Sequence, residues 1–191
     1  MKISTFQKAV SYLSFLAFAL SGLTAHAQEY LSPTTPAQKG RSPGVKIKLL
    51  SEQVNVKTYV LVFAKGDEIM SGLSEFADKY QVTSAHFTAI GDATTAKIGW
   101  YDPTKKMFKV NFIKTQSEIT SLVGDIAMFN GKPVVHAHIN LAAQDGTVRG
   151  GHLFEAFVAP TLEVIVTVEP TTMYKKLSPE FGASVIDPTQ Q

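Results

Sequence analysis

"HAHINLAAQDGTVRGGH", residues 136–152, holds three of the chain's five histidines, an Asp-Gly pair and two adjacent glycines. Polar and apolar residues alternate through its first half, the period of a strand with one face on a core. His136 and His138 therefore share one face, and Ile139 and Leu141 take the other. Asp145-Gly146 turns the chain back into a second strand, and where His152 points depends on that turn. A two-residue Asp-Gly loop sets His152 opposite Ile139, on the core face. A three-residue loop, Gln144-Asp145-Gly146, sets His152 opposite His138, with His136 one same-face step away. Both loops are common. The longer one demands glycine at its third position and has it, so we adopt that register. It places three imidazoles on one patch, with opposed Cβ atoms about 5 Å apart.

Outward from this hairpin the segments alternate between strand and turn. "KTYVLVFAKG" (57–66) is a nearly continuous apolar run rich in β-branched and aromatic residues, as a buried strand is. In "GDEIMSGLSEFADKY" (66–80), Ile69, Leu73, Phe76, Ala77 and Tyr80 fall at helical spacing behind Asp67 and Glu68, which suit a helix N-terminus. "TSAHFTAIG" (83–91) reads as a strand, and "AKIGWYDPTKKMFKVNFIK" (96–114) as two strands joined at Asp102-Pro103. "ITSLVGDIAMFNGKPVVHAHINL" (119–141) is two strands joined by Asn130-Gly131, and "TLEVIVTVEP" (161–170) is a last strand. The pattern predicts an α+β fold: a largely antiparallel, meandering sheet with one main helix packed on a face.

The two ends differ from this body. Lys2 and Lys8, an apolar run and the small residues Ala25 and Ala27 make a secretory signal over 1–27, cut after Ala27. The alternative is an uncleaved N-terminal anchor. With cleavage the protein is periplasmic or secreted and keeps no stable membrane anchor. Residues 28–44, rich in Pro, Ser, Thr and Gly, are expected as a flexible lead-in, 45–172 as one domain, and 173–191 as a tail that is irregular or briefly helical.

Composition bounds the chemistry. The chain has no cysteine, so it has no disulfide and no thiolate ligand. It has 18 Lys+Arg and 16 Asp+Glu; losing Lys2 and Lys8 with the signal leaves the two signs equal. Only Arg41 and Arg149 are arginines, so the footprint for a phosphate backbone is missing and no nucleic-acid partner is expected. Three neutral imidazoles with a vacant fourth position are the donor set of an open zinc site, or one for another divalent transition metal. Gly150 and Gly151 fit a close approach by a backbone or ligand. The plain alternative is an H-x-H pair on the exposed face of a hairpin.

The order of motifs resembles the plants-and-prokaryotes-conserved (PPC) domain. "YVLVFAKGDEI", "AHFTAIGDATTAKIGWYD", "SEITSLVGDIA" and "VVHAHINLAAQDGTVRGGHLFEAFVAPTLEVIV" carry the likeness, from about Lys57 to Pro170. The resemblance implies a sheet with flanking helices and a homotrimer with pockets near the subunit contacts. It also implies metal-binding histidines, falling here on His136, His138 and His152. The family's acidic positions fall on Glu118 and Glu163. Plant members accompany AT-hook segments in DNA-associated nuclear proteins. This chain has no Arg-Gly-Arg element, so its expectation departs from theirs.

Two classes of function follow. One is a binding module holding metal, and a small-molecule ligand, without turnover. The other is a metal-dependent hydrolase or lyase that activates water, with Glu118 or Glu163 as general base and Arg149 holding an anionic substrate. Against Glu163, it shares a face with Glu169 opposite Leu162, Val164 and Val166, as in any half-exposed strand. No nucleophile elbow or catalytic cysteine supports covalent chemistry, so binding ranks first. A cupin-like barrel expects a carboxylate shortly after H-x-H, where this chain has Leu141, Ala142 and Ala143. His86 reads as a satisfied polar position, Trp100-Tyr101 as packing or a ligand platform, and Asp92 as a turn cap.

Overall fold

The computed structural model describes residues 27–190. The signal segment read in the sequence therefore lies, but for Ala27, outside the described residues. Among the described residues no helix is long and apolar enough to cross a membrane.

In chain order the elements are β1 (Tyr30–Leu31), β2 (Lys46–Gln53), β3 (Val56–Ala64), α1 (Ile69–Lys79), β4 (Ser84–Asp102), β5 (Met107–Ile113), β6 (Ser117–Phe129), β7 (Lys132–Ala142), β8 (Val148–Val168), β9 (Lys175–Ser178) and β10 (Ala183–Ile186). The first eight strands form one sheet in the order β1-β5-β4-β6-β7-β8-β3-β2, and β9 and β10 form a separate hairpin. β4 pairs with β8 as well as with β6, so β4, β6, β7 and β8 close into a ring of antiparallel strands. The α+β expectation is thereby narrowed: a mostly antiparallel sheet dominates, with a single helix of 11 residues among the described residues.

Alternation builds the core. Tyr59, Leu61 and Phe63 on β3, Leu122 and Ile126 on β6, Ile139 and Leu141 on β7, and Leu162, Val164 and Val166 on β8 are buried together. Ile69, Leu73, Phe76 and Ala77 on one side of α1 complete it, with the helix lying against β7 and β8. Glu68 caps the helix: its carboxylate accepts from the N–H groups of Met70 (3.0 Å) and Ser71 (2.7 Å), and across the core from Ala156 (3.1 Å). Burial raises its pKa, opposed by those three N–H groups and by Arg41.

Five features depart from the sequence expectation. β4 and β8 are single strands of 19 and 21 residues where shorter separate strands were expected. At Gly91 the register shifts, and a side chain there would strike the Thr161 carbonyl, so this glycine marks a bend against β8 rather than a turn. Asp92 accordingly lies within β4 opposite Glu118 instead of capping a turn. β2 escapes pattern reading because seven of its eight residues are exposed. Residues 28–44 are held against the domain: Tyr30 and Leu31 pair with Lys109 and Phe108, and Arg41 Nη2 lies 2.7 Å from Glu155 Oε2. Composition weighed only apolar burial, whereas backbone pairing and an ion pair hold this segment, and its prolines lose little freedom on ordering. The tail forms the β9–β10 hairpin and docks beside β6, where the Met128 N–H donates to the Met173 carbonyl at 2.7 Å.

Candidate metal centre

The 136–152 hairpin takes the longer register. The Ala143 N–H donates to the Thr147 carbonyl and the Gly146 N–H to the Ala143 carbonyl, each at 2.9 Å. Gln144, Asp145 and Gly146 are thus the loop, and Gly146 adopts φ +79°. His138 stands opposite His152, while Ile139 and Leu141 are buried on the reverse face. The second hairpin matters as much. Asn130 and Gly131 both take positive φ, setting Phe129 opposite Lys132 and therefore Asp125 opposite His136.

One ligand atom from each of His136, His138 and His152 lies within 4.8 Å of the others. Ring centroids are 5.1 Å apart for His136–His152, 5.2 Å for His136–His138 and 5.6 Å for His138–His152. His152 is the enclosed member. Phe108 stacks on it at 4.4 Å and 16°, and Phe154 meets it edge-on at 4.8 Å. Glycine admits this arrangement: a Cβ on Gly99 would lie 2.7 Å from Phe154 Cε2, and one on Gly151 would lie 2.5 Å from the Gly99 carbonyl oxygen. The Gly151 approach is therefore to another backbone.

The electrostatics favour neutral rings at His138 and His152. Burial first, then His136, His138 and Lys175, push the His152 pKa down to about 3. Burial and His136 also lower that of His138. Nδ1 of His152 is buried with no hydrogen-bond partner among the described residues, although an orphaned polar atom costs about 1–3 kcal/mol. Three converging nitrogens, one of them buried and unsatisfied, fit a borderline-soft divalent ion. A tetrahedral zinc at about 2.0–2.1 Å needs nitrogens roughly 3.3 Å apart, and the three ligand atoms lie within 4.8 Å of one another.

Two residues that the sequence reading passed over stand behind this cluster. Asp125 Oδ2 is 3.4 Å from His136 Nδ1, and its Oδ1 is 2.5 Å from the ammonium of Lys175, whose side chain is 1% exposed. Burial raises the Asp125 pKa, but His136 and Lys175 together bring it below the usual carboxylate range. Asp125 was legible from the Asn-Gly turn, because that register alone puts it opposite His136. Lys175, in a tail with no strong period, carried no signal.

The other expected residues do not join the histidines within the chain. Glu118 is on the same sheet face but opposite Ala142, four positions along β7 from His138, or roughly 14 Å at about 3.4 Å per residue. Glu163 lies on β8 between Val62 and Ile90, eleven residues beyond His152. Arg149 is opposite Leu141 and projects from the reverse face, lining a separate cleft with Ile98, Val110 and Phe112. His86 is exposed, 3.7 Å from Glu169. Tyr101 packs edge-on against Phe108, whereas Trp100 is 60% exposed. A cleft of about 970 Å³ opens beside the cluster, between the sheet and both chain ends, with His136, His152, Phe154, Tyr101, Arg41 and Lys175 in its walls.

A profile of the Plants and Prokaryotes Conserved (PCC) domain matches residues 50–170. Among solved structures, a plant- and prokaryote-conserved (PPC) protein from Pyrococcus horikoshii is 27% identical, with 76% of this chain and 97% of that one covered and a TM-score of 0.65. A metal-containing protein from Archaeoglobus fulgidus is 29% identical over 74% of this chain and 96% of that one, TM-score 0.63. A protein from Ralstonia eutropha JMP134, named as a candidate DNA-binding protein, is 32% identical over 68% of this chain and 90% of that one, TM-score 0.63. No curated protein matches the chain.

Proposed function

The chain belongs to the Plants and Prokaryotes Conserved domain family, and on that premise we propose that it binds a divalent metal, zinc first, through His136, His138 and His152. The observation that carries this reading is the opposition of His138 to His152, with His136 beside them and the buried Nδ1 of His152 unsatisfied. The naming of the A. fulgidus relative as metal-containing supports it. A bound ion would supply Lewis acidity at the wall of the cleft. The protein's own residues do the rest: Phe108 and Phe154 exclude water from His152, and the cleft accepts a small molecule beside the ion.

Binding stands ahead of turnover in this proposal, because Glu118 and Glu163, the two general bases considered, sit away from the histidines of their own chain. Export follows from the leader-like N-terminus. Self-association as a homotrimer follows from the family resemblance and has one physical support. Val123, Thr88 and Ile165 form a row continuing from His138 across β6, β4 and β8. Val123 and Ile165 are 48% and 42% exposed, and Ile90, one strand step away, is 65% exposed. Such a stripe is the kind of surface that a second copy covers.

DNA binding is the second reading, favoured by the name of the R. eutropha relative. Here Arg41 is engaged by Glu155, Arg149 is the only other arginine, and the two charge signs are equal once the leader is gone. Elemental analysis of tag-free protein tests the proposal: one zinc per chain in the wild type and none in His138→Ala is the expected result. Absence of metal from both, with duplex binding at about 1 µM or tighter in physiological salt, would replace it with the DNA reading.

A further inference from the structure

We infer that the C-terminal hairpin is part of the metal centre: Lys175 holds the Asp125 carboxylate so that it orients the His136 ring. The inference rests on the metal reading above and deepens it. A carboxylate can only accept hydrogen bonds, so the His136 nitrogen facing it, Nδ1, must carry the proton, and Nε2 is left with its lone pair for an ion. The Nδ1–Oδ2 separation of 3.4 Å lies just beyond the usual N–H···O range of about 2.7–3.2 Å, so the angular position of Asp125 decides whether the hydrogen bond is made. Asp125 has two oxygens, and the second is taken. Lys175 Nζ forms an ion pair with Oδ1 at 2.5 Å, without the alignment of a hydrogen bond, and its side chain is only 1% exposed. The carboxylate is thereby fixed between an ammonium and an imidazole. It neither swings towards the ion nor turns out to solvent.

The placement of Lys175 is architectural. The tail leaves β8 after Val168, and Thr83 and Met128 take its backbone: the Met173 N–H donates to the Thr83 carbonyl at 3.2 Å, and the Met128 N–H to the Met173 carbonyl at 2.7 Å. Tyr174 bridges Met128 in parallel, and the next residue, Lys175, opens β9. The Asp187 N–H then donates to the Tyr174 carbonyl at 2.8 Å, closing the β9–β10 hairpin over the site. Lys175 lies beyond residue 170, where the match to the family domain ends. A lysine buried to this degree requires a charged partner, and Asp125 stands between its ammonium and His136. A simple tail anchor needs only the backbone bonds and an exposed ion pair. Directing both carboxylate oxygens inward, one to the tail and one to a ligand ring, is what a positioning residue requires.

Zinc competition against a chromophoric chelator, with full-length protein at fixed concentration, tests this. Asp125→Asn is expected to weaken zinc 10–100-fold, and Lys175→Met, which keeps the apolar stem, about tenfold. The double variant removes both buried charges together and should fold with the single-variant loss of affinity, not the product of the two. A purely structural role would leave the cobalt(II) absorption spectrum unchanged; the inference expects its ligand-field bands to shift in both single variants. Wild-type zinc affinity retained within about twofold in Lys175→Met and Asp125→Asn overturns the inference while the metal reading stands. Tighter zinc binding in Lys175→Met also overturns it, since the ammonium would then act only by repelling the ion. A wild type that binds no zinc overturns the metal reading itself.

Discussion

Replacing His152 by leucine should make the metal-free protein more stable and the metal-loaded protein less so. In chelator at pH 7, His152→Leu removes a buried nitrogen that has no partner among the described residues. An unsatisfied buried polar atom costs about 1–3 kcal/mol, part of which is offset by the lost stacking on Phe108, so a net gain of about 1–2 kcal/mol is expected. The pH dependence sharpens this. The folded-state pKa of His152 is about 3 against 6.5 for the free side chain. The unfolded chain therefore takes up a proton first as pH falls, and wild-type stability is full above about 6.5 and is lost progressively towards about 3. His152→Leu lacks this loss, so its advantage grows by about 1.4 kcal/mol per pH unit below 6.5, or roughly 3 kcal/mol more at pH 4.5. Excess zinc reverses the order, because ligand at a thousand times Kd adds about 4 kcal/mol to the wild type alone. Urea denaturation with and without chelator, at pH 7 and 4.5 and one protein concentration, reads all three terms. A variant less stable than wild type in chelator, by an amount that does not change with pH, would refute the reasoning.

Gly151→Ala places a Cβ 2.5 Å from the Gly99 carbonyl oxygen, where β4 meets β8; we expect a loss of about 1–3 kcal/mol in urea denaturation together with weaker zinc binding. Glu68→Ala leaves the N–H groups of Met70, Ser71 and Ala156 without their acceptor; denaturation should show about 2–4 kcal/mol lost with one zinc per chain still bound. Glu118→Gln, Glu163→Gln and Arg149→Ala should each leave zinc affinity within about twofold of wild type in the chelator competition, since none of them reaches the three rings within the chain.

Much of the site was legible because short turns transmit register. Gln144-Asp145-Gly146 decides which way His152 points, and Asn130-Gly131 decides what stands opposite His136; both follow from which residues tolerate positive φ. The helix was legible from Ile69, Leu73, Phe76 and Ala77, whose spacing survives folding unchanged. The continuity of β4 and β8 was not, because Gly91 serves a bend as readily as a turn and only its partner strand distinguishes them. The ends were hidden for a different reason. Residues 28–44 and 173–190 are held by backbone pairing, by the Arg41–Glu155 pair and by Lys175 on Asp125. Those partners are 79 residues away from Tyr30 and 50 from Lys175 in sequence, and no local pattern records them. Glu118 and Glu163 were carried by family resemblance, and resemblance assigns a position without a distance.

Zinc K-edge X-ray absorption on the tag-free, zinc-loaded protein tests the central claim most directly. The account predicts a first shell at about 2.0–2.1 Å with the multiple scattering of three imidazole rings. A shell of oxygen donors with one imidazole or none would contradict it.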